Sequence, residues 1–212
     1  MGNNDVEPVW NNTYHRNEAL EDVSSTQDLP PQRIKKRGVE VVDLQGGQSL
    51  TIAKRQLWGA NECLYRGMSK LPFKYVVYGQ TDTSICSSLY DCSKHMRLVQ
   101  EEDMSKGQPD IRYNVAVGGD GKVYEGRGWC DTPALPEELA ATIDGPALYI
   151  GFIGDFKYKP PPFIMTFTAI QVIKVALKRK VLGATFKLIQ LENVPKTRSE
   201  SYSSKQSQNS TY

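Results

Sequence analysis

With two histidines and four cysteines in 212 residues, the chain has few groups that can carry chemistry. A hydrolytic zinc centre needs three ligands of His, Cys, Asp or Glu type on a rigid frame. His15 lies in a polar, unpatterned stretch. His95 lies on a helix-spaced segment beside Met96, with no partner at ligand spacing. A Ser-His-Asp arrangement meets the same shortage, since His95 alone could serve as its base. Neither G-x-S-x-G nor G-x-x-x-x-G-K-[ST] occurs. The cysteines Cys63, Cys86, Cys92 and Cys130 form no C-x-x-C pair, which argues against zinc-ribbon and thioredoxin-type sites. Their even number suits two disulfides in an exported protein and equally four buried thiols in a cytosolic one.

The segment with the most specific pattern is "DIRYNVAVGGDGKVYEGRGWC", residues 110–130. "RYNVAVGG" and "KVYEGRG" flank Asp120-Gly121, a hairpin signal, because glycine accepts the positive φ of a tight turn. Its glycines therefore belong to a hairpin and not to a strand-to-helix phosphate cradle. Tyr113 and the Gly128-Trp129 pair are the candidate binding residues. Glycine lets a ligand approach the backbone and the indole offers a platform, but the same tryptophan can simply fill the edge of a core.

Other elements must position that hairpin. "KYVVYGQ" (74–80) and "ALYIGFIGDF" (147–156) read as buried strands. Leu89, Cys92, Met96 and Val99 recur at helix spacing within 87–104. "LPEELAATI" (135–143) predicts a short helix, with Pro136 in its first turn and Glu137 and Glu138 at its positive end. The longest helix is expected over 165–183, with Gly183 stopping it, and a last strand over 186–191. Strand, helix, hairpin, strand, helix, strand is the order of an α/β single domain, with a central mixed β-sheet flanked by helices.

Composition places limits on partners. The chain is 39% hydrophobic and 24% charged, with a formal net charge of +2, so no global field argues for nucleic acid or an anionic membrane. No apolar run is long enough for a membrane span. "MGNNDVEPVW" lacks the basic and apolar regions of a signal peptide, and Val6 breaks the myristoylation pattern. Residues 1–48 are expected to be a disordered polar segment, since the first 32 carry six acidic residues and one arginine with no apolar periodicity. The basic "RIKKR" (33–37) reads as a solvated linker, a nuclear address, a processing site or a membrane-proximal cluster. The folded domain is expected over 49–200 and a disordered tail over 201–212. Asn11 and Asn209 head N-x-[ST] sequons in the two tails.

The segment "YNVAVGGDGKVYEGRGW" closely resembles the middle of the peptidoglycan recognition protein domain, the animal relative of phage-type N-acetylmuramoyl-L-alanine amidases. "LWGA", "YVVYGQT", "YIGFIGDF" and "FKLIQLENV" resemble the family's flanking segments, so the resemblance runs over roughly residues 50–200. It implies the family's fold, an extracellular or cell-surface location, and a disulfide between Cys86 and Cys92, which have the family's Cys-x5-Cys spacing. Cys63 and Cys130 are left as a second expected pair.

The departures from the pattern bear on activity. Where active members carry His-His-Thr, this chain has Gly79, Gln80 and Thr81. The second histidine ligand becomes Leu191 and the cysteine ligand becomes Ser199. Of the amidase set, Tyr113 and Thr197 remain. The ligand-binding residues carried over are Thr81, Tyr113, Gly128 and Trp129, whereas the arginine that contacts a diaminopimelate carboxylate becomes Pro146. The stretch from Trp129 to Phe152 is also longer than the family pattern. The profile resembles the non-catalytic, long or membrane-associated insect branch. It implies no metal, no cofactor and no amidase activity, with a role in innate immune sensing or in modulating peptidoglycan signalling as co-receptor, decoy or regulator. The expected partners are peptidoglycan or muropeptide, bound weakly or indirectly, and other domains of the family. The alternatives are an interaction module that no longer meets peptidoglycan and, as a minor reading, a residual zinc amidase.

Overall fold

The computed structural model describes residues 38–191. Seven strands form one mixed sheet: β1 (Val39–Asp43), β2 (Ser49–Ala53), β3 (Phe73–Gln80), β4 (Val115–Val117), β5 (Val123–Glu125), β6 (Ala147–Phe152) and β7 (Leu182–Gln190), in the order β1-β2-β5-β4-β6-β3-β7. β4, β6, β3 and β7 run parallel to one another, while β1–β2 and β4–β5 are antiparallel pairs. Four helices accompany them: α1 (Arg55–Trp58), α2 (Leu89–Ser105), α3 (Glu137–Ala140) and α4 (Phe163–Lys178). Among the described residues no helix is long and apolar enough to cross a membrane.

Strand periodicity divides the core in two, because successive side chains point to opposite faces. On β3 and β6, Val76, Leu148 and Ile150 join Met165, Ala169, Val172 and Val175 of α4. Tyr75, Val77, Ala147 and Tyr149 face the other way, into the cluster that holds Trp58, Met96, Val99 and Leu139. α4 therefore covers one face, and α1, α2 and α3 the other. The Ser88 hydroxyl accepts from Asp91 N at 3.1 Å and starts α2 as its N-cap.

Strand structure is present earlier than the expected boundary at 49. "VEVVD" pairs with "SLTIA" as the β1–β2 hairpin, in register from Val39↔Ala53 to Asp43↔Ser49. Gly46 and Gly47, with φ of 75° and 72°, supply the left-handed turn between them. The rest of the expected disordered segments, 1–37 and 201–212, lies outside the described residues. α4 ends at Lys178, before the expected stop at Gly183, because Lys180 takes φ 58° and the chain turns into β7. Only Glu137–Ala140 of the expected 135–143 helix is helical.

Candidate functional site

β3, β6 and β7 are parallel and end on the same side of the sheet, where their carboxyl ends open a cleft of about 850 Å3. Ligands of open α/β sheets bind in such places, outside the ends of parallel strands. One wall is aromatic: Tyr78, Phe152 and Phe156 form an edge-to-face chain, with centroids 5.3 and 6.3 Å apart. Burial pushes the Tyr78 phenol up to about 12, so it stays neutral. Gln80 fixes the rim. Its Oε1 accepts from Phe156 N at 2.8 Å and its Nε2 donates to Asp82 and Asp155 at 2.8 and 3.3 Å. Lys157 closes the same rim with ion pairs to Asp82 and Asp155 at 3.0 and 3.8 Å. On the far wall stands Arg112. Burial opposes its charge, but Asp103, hydrogen-bonded to its Nε at 2.8 Å, holds its pKa above the ordinary value.

The cleft lining includes Tyr149 and Gly79, where the family resemblance places a histidine; Gly151 and Tyr113 pack next to them, outside the lining. Gly79 pairs with Gly151 across β3 and β6, so two strands offer bare backbone side by side. Two tyrosine rings lie on it, their centroids 4.6 Å apart. A Cβ on Gly79 would stand 2.5 Å from the Tyr149 hydroxyl, and one on Gly151 would stand 2.9 Å from the Tyr113 ring. Tyr149 thus fills the room that a side chain at position 79 would need. The Tyr113 hydroxyl donates to Gln80 O at 2.5 Å. Burial, then the neighbouring Tyr149, raise the Tyr113 pKa well above the ordinary phenol, and burial pushes Tyr149 up to about 12.

Neither Gly79 nor Leu191 offers a side-chain donor to a zinc ion: the space beside Gly79 is taken by Tyr149, and Leu191 presents hydrocarbon. Among the described residues no group of three His, Cys, Asp or Glu side chains could hold a metal ion. Thr197, Ser199, Asn11 and Asn209 lie outside the described residues.

The cleft gathers Gly79, Gln80 and Leu191, but Thr81, Tyr113, Gly128 and Trp129 are not among its lining residues. Thr81 is buried and its Oγ1 accepts from Gly154 N at 2.9 Å. Gly128 takes φ 84° after β5. Trp129 sits in the α4-side core, 9% exposed, with the Arg179 guanidinium 4.7 Å above its ring. Tyr149, Arg112 and the aromatic wall were absent from the sequence-based site. The only sequence signal for Tyr149 was a bulky residue facing a glycine on a strand about seventy residues away, which needs the pairing register to be seen.

Cys86 and Cys92 form a disulfide. Cys63 and Cys130, expected as a second pair, are free thiols. The backbone beside each is tied to a different partner: Ser69 N donates to Cys130 O, and Leu64 N donates to Pro109 O.

No family model matches the chain. It is similar to peptidoglycan-recognition protein 1 of Holotrichia diomphalia, 35% identical over 150 residues, covering 70% of this chain and 74% of that protein. Peptidoglycan recognition protein 1 of Rattus norvegicus is 32% identical over 141 residues, covering 65% and 74%. Among solved structures, Drosophila PGRP-SD superposes with a TM-score of 0.63 at 31% identity, over 68% of this chain and 85% of that one. The complex of the PGRP-LCa and PGRP-LCx ectodomains with tracheal cytotoxin contains a chain that matches at TM-score 0.63 and 29% identity, over 69% and 87%. With its fold, its hairpin motif and these relatives in agreement, the chain belongs to the peptidoglycan-recognition protein family.

Proposed function

We propose that this chain is a non-catalytic recognition domain that senses or modulates peptidoglycan signals outside the cell. The observation that carries this reading is that Gly79, where the resemblance places a histidine ligand, has no side chain, and that the Tyr149 ring occupies the space one would need. Peptidoglycan fragments are the ligand class, by analogy with the tracheal cytotoxin complex of PGRP-LCa and PGRP-LCx, and that complex also makes other domains of the family the natural protein partners. The disulfide Cys86–Cys92 supports export. The role is that of co-receptor, decoy or regulator.

The test combines three measurements on the purified protein. Zinc content should be far below one equivalent, no stem peptide should be released from muramyl peptide, and the protein should sediment with insoluble peptidoglycan. Stem-peptide release or a full equivalent of zinc overturns the non-catalytic half. Failure to sediment overturns the recognition half in favour of a second reading, an interaction module that no longer meets peptidoglycan. Pro146 favours that second reading, because an arginine fork has become a ring without a donor.

A further inference from the structure

Residues 135–144 form a short excursion between the hairpin and β6, and they lie against the α2-side face of β3 and β6. At one end Ala134 N donates to Arg112 O at 3.0 Å, and Pro136 lines the cleft beside Arg112 and Tyr149. At the other end the Asp144 carboxylate accepts from the Tyr75 hydroxyl at 2.5 Å. The stretch between must therefore cross the strands. It buries one side chain fully, Leu139, 2% exposed, in the cluster of Tyr75, Val77, Ala147 and Tyr149. Glu137, Glu138, Ala140, Ala141 and Thr142 face solvent.

Its own hydrogen bonds are local. Ala140 N donates to Pro136 O, Ala141 N to Glu137 O, and both Thr142 N and Ile143 N to Leu139 O. Lifting the segment off would leave those bonds intact and remove the burial of Leu139, the flanking packing of Leu135 and Ile143 against the same cluster, and the Tyr75–Asp144 bond. The polar end of this contact is cationic as well as phenolic. Lys74 donates to Asp144 O at 3.2 Å, and Lys187 lies 5.9 Å from the Tyr75 ring centre. Together the face presents an apolar socket beside a phenol and two ammonium groups. It is a receptor for an apolar side chain next to a carboxylate, and the chain supplies both itself.

We infer that residues 135–144 are an autoinhibitory cap, in which Leu139 and Asp144 occupy the α2-side face of β3 and β6 in place of a peptide bearing an apolar group and a carboxylate. The identity of the competitor as a muropeptide stem rests on the reading under Proposed function; the cap itself does not. A bound ligand must first displace the cap, so its apparent affinity falls by the fraction of molecules that are open.

The experiment uses the full chain and three variants: Asp144→Asn, Leu139→Ser and the double substitution. Hydrogen–deuterium exchange is followed over 135–146 and over the strands beneath, and monomeric muropeptide binding is measured by calorimetry. Faster exchange at Tyr75–Val77 and Ala147–Tyr149 in the variants is expected, with the largest change in the double variant. A tenfold rise in the open fraction gives about a tenfold rise in apparent affinity. Asp144→Asn is nearly isosteric and at the surface, so it keeps the test valid if Leu139→Ser fails to fold. Unchanged exchange in both strands overturns the cap. Faster exchange with no muropeptide binding in any variant supports the cap and overturns the peptide ligand assigned to it.

Discussion

Asn114 in the hairpin and Tyr149 at the cleft are direct neighbours, since Asn114 Oδ1 accepts from Tyr149 N at 2.8 Å. Their surroundings are held together in different ways. Asn114 is fully buried, and its Nδ2 donates to Gly128 O and Asp131 O at 2.9 and 2.7 Å. Arg127 donates to Ile111 O, Thr132 O and Asp110 O. Around the hairpin, motif side chains satisfy backbone groups that would otherwise be buried without partners. Beside the cleft two rings lie on two glycines, and apart from the Tyr113 hydroxyl on Gln80 O the fit is one of shape. A hairpin of this kind tolerates little change without loss of the fold. A surface built from rings and glycines can exchange one packing for another without loss of the fold.

The largest effect should follow Asn114→Leu. It leaves Tyr149 N–H and two carbonyls unpaired in the core, at a cost of about 3–5 kcal/mol. Denaturant unfolding measures this, and a loss under about 1 kcal/mol would break the contrast by showing the network to be dispensable.

Next comes Gly79→Ala, which forces a Cβ against Tyr149 and costs about 2 kcal/mol as an overpacked site. In the Tyr149→Ala background the same change should be close to neutral, a coupling of at least about 1 kcal/mol in a double-mutant cycle. Additive effects would mean that Tyr149 does not fill the position.

Reduction of Cys86–Cys92 probes the hairpin from its turn. A Cβ on Gly119 would stand 2.2 Å from Cys86 O and one on Gly118 2.8 Å from Cys92 Sγ, so the disulfide rests on the glycine pair. With six residues of separation, the chain-entropy model gives about 2 kcal/mol. Exchange should quicken at Gly118–Lys122 and stay unchanged at Gly79. Equal loosening at both places would make the two regions one cooperative unit.

The same contrast explains what could be read without coordinates. The Asp120-Gly121 turn, the buried strands and α2 carry local signals, and each appears close to its expected place. The β1–β2 hairpin also has a local signal, Gly46-Gly47 between two short apolar runs, which the low apolar content of the first 32 residues outweighs in the expectation of a disordered 1–48 segment. The approach of Tyr149 to Gly79 and the burial of Leu139 in the cluster of Tyr75 have no local signal, because each depends on elements distant in sequence. Pairing Cys63 with Cys130 by elimination failed for the same reason: counting thiols says nothing about where the backbone carries them.

The smallest expected effect is a pH response confined to the cap side. The hydrogen bond from Tyr75, then the charge of Lys74, hold the Asp144 carboxyl below its ordinary 3.8. A carboxyl depressed in the folded state contributes stability above its unfolded value and loses it as pH falls through the folded one. The cap should therefore be insensitive to pH from neutrality down to about 4 and loosen only below that. Because the carboxylate is at the surface, salt should weaken the effect further. Exchange at Leu139–Ile143, followed from neutral into acid, should rise only in that last interval and should be flat in Asp144→Asn. A rise that begins near pH 6, or one that persists in the asparagine variant, would assign the loosening to another group and leave the Tyr75–Asp144 bond without a part in holding the cap.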